Sequence, residues 1–226
     1  MSMPYYVSPE QMMQDKAEYA RKGISRGRST IAMEYKEGML LFADNASSLN
    51  KISEIYDRIA FVGAGKYSEF EHLRKAGIRH ADMTGYVYSR EDVTARSLAN
   101  AYSQTIGSVF SQEAKPLEIE ILVVELGEHR EGNGIYRIQF DGSIHDEKSF
   151  AVVGGNAEAL SASLSEQYVL STLKDALQLC RKLLSEGEED KGDEGAFEVA
   201  VLDRNKKGRL FRRINKKSLE KYFKLQ

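Results

Sequence analysis

The 226-residue sequence has no tryptophan, three prolines and one cysteine, Cys180. A single cysteine excludes the internal disulfide framework of small secreted domains and points to a reducing compartment. So few prolines leave no Pro-rich linker. No apolar run approaches the roughly 20 residues that cross a bilayer. The opening MSMPYYVSPEQMMQDK lacks both the basic and the apolar segments of a secretory signal. A cytoplasmic protein away from membranes is therefore expected. The formal net charge of −2 shows no excess of either sign, so nucleic acid is not an expected partner.

The residues that are present suit a globular fold, with 42% hydrophobic and 29% charged. Residues 1–7 show neither a helical nor a strand period and read as a tail. Ser8-Pro9-Glu10-Gln11 reads as a helix start, with Ser8 as cap, Pro9 at the first helical position and Gln11 as capping-box partner. Met13, Ala17, Ala20 and Ile24 then form one apolar stripe, and Gly27 ends the region. The segments 30–35 and 39–43 predict a strand pair around a Lys36-Glu37-Gly38 turn. Short strands are predicted over 52–55 and 59–62, with Gly63-Ala64-Gly65 opening a helix. Ser89-Arg90-Glu91-Asp92 reads as the start of a long helix carrying Ala95, Leu98, Tyr102, Ile106 and Phe110.

The second half alternates likewise. Strands are predicted over 119–126, 135–140, 150–153, 197–202 and 210–214. Helices are predicted over 156–168, 171–184 and 218–223. The acidic run 185–195 and the basic run 204–217 read as solvated segments. Clustered strands separated by paired helices make the fold α+β. Two face-to-face sheets, each covered outside by helices, would bury all of these elements.

Candidate sites are few. Gly63-Ala64-Gly65-Lys66 lacks the ending of a phosphate-binding loop, so no nucleotide cofactor is expected. His72, His80, His129 and His145 are scattered without partners at ligand spacing, so no metal is expected. Cys180 lies on an apolar helix face with Leu173, Ala176, Leu177 and Leu184, as a buried inert thiol would.

The block from Tyr6-Val7-Ser8-Pro9 to Glu18-Tyr19-Ala20-Arg21, followed by Gly27, resembles the α-subunits of proteasomes, in particular the actinobacterial type. The likeness covers nearly the whole chain. The sequence departs from the usual motif at Gln11 and Met12, where a Gly and a basic residue are common, and it is one residue longer before Glu18. The resemblance implies the four-layer αββα sandwich of the N-terminal-nucleophile hydrolases. It also implies one domain over 8–226, with its α-type helix at 8–24.

Catalytic β-subunits of that family begin with a threonine whose own α-amino group serves as base, assisted by an Asp and a Lys. Matching YKEGMLLFAD to that strand pair places Asp44, Lys51 and Gly65 at the remaining scaffold positions and Arg28 where the nucleophile would stand. The resemblance therefore implies a subunit without catalysis. It would stand in a seven-membered ring on a Thr-protease β-subunit ring, through which protein substrates pass. Lys51 and Gly27 match a pocket for the C-terminal carboxylate of an ATPase or other activator. From residue type alone, they read as a surface lysine at a strand start and a helix-ending glycine. Met3, Pro4, Tyr5 and Tyr6 match a pore gate, although an unordered terminus is the ordinary state of such residues. Two other readings stay open: an active peptidase or amidase matured by cleavage before Ser29 or Thr30, and a free-standing binding module of the same fold.

Overall fold

The computed structural model describes residues 8–186 and 197–224. The expected gate residues Met3, Pro4, Tyr5 and Tyr6, and most of the acidic run, lie outside the described residues.

Helix α1 (Pro9–Ser25) begins as its sequence dictates, with Pro9 in the first turn and the Ser8 side chain accepting from the Gln11 N–H at 3.2 Å. The Gln11 side-chain amide donates onward to Asp15 at 2.7 Å. The apolar stripe is narrower than predicted. Ala20 and Ile24 are buried beside Phe140, whereas Met13 faces outward.

Ten strands follow among the described residues, in two antiparallel five-stranded sheets. The first sheet runs β10 (Phe211–Ile214), β9 (Phe197–Asp203), β2 (Gly38–Asp44), β1 (Thr30–Tyr35), β8 (Phe150–Val153). The second runs β3 (Ile52–Tyr56), β4 (Ile59–Gly65), β5 (Ile119–Glu125), β6 (Gly134–Ile138), β7 (Ile144–Glu147). Helices α2 (Tyr67–Val87) and α3 (Ala95–Gln112) cover the second sheet; α4 (Ala157–Gln167), α5 (Leu173–Glu186) and α6 (Lys216–Lys224) cover the first.

Three apolar clusters account for this layering. Ile31, Met33, Leu40 and Phe42 pack under α4 and α5. Phe61, Ile121 and Val123 pack under α2 and α3. Between the sheets lies a third cluster rich in small residues, including Ala32, Ala43, Ala60, Ala151 and Ala200. The helix–sheet–sheet–helix sandwich expected from the sequence is thus observed.

Three local expectations are corrected. Gly63-Ala64-Gly65 does not open a helix but completes β4, paired to β5 through Gly63↔Ile121 and Gly65↔Ile119. Ser89 does not cap α3. It begins a single 3-10 turn (Arg90–Asp92), and α3 is capped by Thr94, whose hydroxyl accepts from the Ser97 N–H at 3.2 Å. Strand β7 has no counterpart in the sequence reading. The basic run is solvated as expected: Lys206, Lys207, Arg209, Arg212 and Arg213 are exposed, with Arg209 and Arg213 pairing to Glu54 and Glu198.

One buried acid sets a pH dependence. Glu120 is only 9% exposed and shares the inner face of β5 with Leu122 and Val124. Burial pushes its carboxyl up to about 7, against the opposing pull of Arg137 and the Gly154 N–H. A carboxyl raised by folding contributes fully below its unfolded value near 4.5, and that contribution is lost as pH rises through about 7. Urea unfolding at pH 5 and pH 8 should show the Glu120→Gln protein losing up to about 3 kcal/mol less over this interval than the parent. Equal losses would show that Glu120 is charged at low cost.

Candidate functional site

The site lies where β1 begins and β2 ends. All five positions singled out in the sequence adjoin there. Arg28 stands two residues before β1, and its guanidinium pairs with the Asp44 carboxylate at 2.8 Å. Asp44 is the last residue of β2, held by its N–H donating to the Ser29 carbonyl at 3.1 Å. Lys51 directly precedes β3, and its backbone carbonyl accepts from the Gly63 N–H at 3.0 Å.

The Lys51 ammonium does not simply extend into solvent. It donates to the Arg28 carbonyl at 2.7 Å and to the Asp44 carbonyl at 3.1 Å. Burial pushes this amine down to about 8. Asp44 and Glu198 oppose the fall, and the Arg28 guanidinium adds to it. The amine is therefore charged at neutral pH and discharges just above it.

Gly27 is joined to the rest of the chain by its carbonyl, which accepts from the Gly155 N–H at 2.8 Å. A Cβ at Gly27 would stand 3.1 Å from the Gly65 backbone nitrogen, so the two glycines are neighbours. Gly65 itself has φ +93° and lies against the Glu118 carbonyl.

The nearby hydroxyls are occupied or enclosed. Ser29 Oγ accepts from the Asn156 N–H at 3.2 Å, and Thr30 is fully buried. Chemically, the assembly offers a cation fixed on the carbonyls of Asp44 and Arg28, the latter next in the chain to Gly27, which adjoins Gly65.

The sequence reading missed Glu198, in β9. One of its oxygens accepts from the Asn45 amide and the Lys51 N–H, both at 2.8 Å. The other accepts from Ile52 N–H at 3.2 Å and pairs with Arg213 at 2.5 Å. The available signal was a single carboxylate in the otherwise apolar FEVAVL segment.

With this geometry in place, the relatives can be read. The proteasome subunit family model matches residues 24–202. The chain belongs to the proteasome subunit family. Relatives named proteasome subunit alpha are similar over nearly its whole length. The protein from Thermobifida fusca is 53% identical over 218 residues, covering 95% of this chain and 88% of the relative. That from Thermomonospora curvata is 52% identical, covering 95% and 94%. That from Kineococcus radiotolerans is 50% identical, covering 95% of both. The family's two-sheet sandwich is the one described above. Among the described residues, no helix is long and apolar enough to cross a membrane.

Proposed function

We propose that this chain is the non-catalytic α-type subunit of a bacterial proteasome core particle. In this reading, seven copies form an outer ring on a ring of Thr-protease β-subunits. The α-ring controls entry of protein substrates, supports assembly and receives the C-terminal tails of an ATPase or other activator. The chain is cytoplasmic and needs no cofactor.

The observation that carries the reading is Arg28. By the family matching it stands where the nucleophile would be, and its guanidinium pairs with the Asp44 carboxylate. The Lys51 ammonium rests on two carbonyls rather than beside a hydroxyl. Residues 8–226 would act as one domain and the preceding tail as the gate. The names of the relatives support the α assignment.

Native mass spectrometry of this chain, alone and with a candidate β-subunit, tests the proposal. Rings or a mixed high-mass particle in which each copy keeps its α1 segment are expected. A small species shortened to Ser29 or Thr30 would instead reveal a matured hydrolase. A monomer that ignores every β-subunit would indicate a free-standing binding module. In an assembled particle, deletion of residues 2–7 should raise hydrolysis of a short fluorogenic peptide several-fold. An unchanged rate would remove Met3, Pro4, Tyr5 and Tyr6 from the gate.

A further inference from the structure

We infer that Glu198 is the positioning residue of the Lys51 site: it fixes the backbone from which Lys51 projects and supplies part of the negative field that keeps the ammonium charged. The inference deepens the tail-docking proposal and rests on it for its functional consequence, though not for its structural one.

The geometry is concentrated on one carboxylate. Its side chain is 10% exposed, and it gathers donors from three other segments. Asn45 comes from the loop after β2, Lys51 and Ile52 from the start of β3, and Arg213 from β10. A carboxylate with two oxygens can accept about four such bonds, so its capacity is filled. Arg213 also donates to the Ile52 carbonyl, closing a ring of contacts between Glu198, Arg213 and the first residue of β3.

Sheet pairing does not hold this corner. Strand β3 is an edge strand of the second sheet, whereas β9 and β10 belong to the first. No backbone ladder can join them, so side chains must set their separation. Glu198 does so by accepting consecutive N–H groups, a charge-assisted arrangement stronger than neutral hydrogen bonds. With the Lys51 main chain pinned, its four-carbon stem needs few rotamers to reach the carbonyls of Arg28 and Asp44.

The charges around the Lys51 amine come from each element packed against it. Arg28 before β1 lowers its proton affinity, while Asp44 at the end of β2 and Glu198 in β9 raise it. Arg213 lies behind Glu198, and its pairing shares the Glu198 charge. Replacing Glu198 by a neutral residue removes one of the two anions that oppose desolvation.

The test uses the full chain and two readouts. The first follows acetic anhydride labelling of Lys51 against pH by peptide mass mapping. Glu198→Gln should lower the pH of half-maximal labelling by about 0.5, as a charge partner outside direct contact would. Glu198→Ala should lower it similarly and also raise the limiting rate, because the main chain is released. Circular dichroism would show that both variants are folded. Glu198→Asp, which keeps the charge on a shorter stem, should restore most of the parent midpoint. Parent-like labelling curves in folded Glu198→Gln and Glu198→Ala would overturn the inference.

The second readout is binding of a synthetic peptide with a free C-terminal carboxylate, compared with its amidated form. Weaker binding of the acid by Glu198→Gln, with a lower alkaline limit, is expected. If labelling shifts while binding of the acid does not, the docking proposal fails and the positioning of Lys51 by Glu198 stands.

Discussion

Replacing Gly65 by valine is expected to cost the fold about 4 kcal/mol or more, enough to threaten a domain of ordinary stability. Two penalties combine. At φ +93°, an L side chain is strained, at about 1–2 kcal/mol. A Cβ there would also stand 2.0 Å from the Glu118 carbonyl oxygen, which is backbone and cannot swing aside. The Gly65↔Ile119 pair would have to separate, moving the end of β4 away from β5 and disturbing Gly27 beside it. Gly208 provides the control. It has φ +82°, but nothing lies within 4 Å of the place a Cβ would take, so Gly208→Val should show the strain alone, about 1–2 kcal/mol. Guanidinium unfolding of the two variants checks the difference. Equal losses would mean that the close approach at Gly65 relaxes cheaply.

Lys51→Ala is expected to weaken binding of a carboxylate-ended activator tail about ten- to hundredfold, as loss of one partner of a partly desolvated ion pair does. The variant should still fold, because the Arg28 and Asp44 carbonyls lie at a margin that water can reach when the amine is gone. Binding by the parent should also fade as pH rises past about 8, where Lys51 discharges. Titration calorimetry at pH 7 and pH 9 checks both statements. Unaltered affinity in Lys51→Ala would leave Lys51 with only its structural bonds to the two carbonyls.

Where periodicity and local chemistry coincide, the sequence reads correctly. The Ser8 cap, the strand pair 30–44 and the Cys180 face of α5 all follow from neighbouring residues. Strand β7, Ile-His-Asp-Glu, fails this test because it is a sheet edge with two exposed positions, so its residues have little apolar pattern to show. The Gly63–Gly65 segment misleads for the opposite reason. Its glycines look like a turn, but at Gly63 the Phe70 ring fills the space where a Cβ would stand. Ser89 and Thr94 are both capping residue types, and only the interposed 3-10 turn decides between them.

The candidate site divides similarly. The motif aligned Arg28, Asp44, Lys51, Gly27 and Gly65, and the chain brings them together. What holds them was illegible, because Glu198 lies 147 residues from Lys51 and Arg213 belongs to a run that reads as a solvated edge. Such bonds depend on which strands become neighbours, which no local pattern encodes.

The alanine-lined space between the sheets has a consequence for how the strands choose their alignment. In β1 and β2 every residue is buried, so exposure to water does not distinguish one face from the other. Volume does. Phe42 and Ile31 turn toward the helices while Ala43 and Ala32 turn toward the opposite sheet. A slip of one residue would expose no apolar surface to water. It would drive a phenylalanine into a gap sized for a methyl group, and the message that fixes this hairpin is written in the sizes of its side chains.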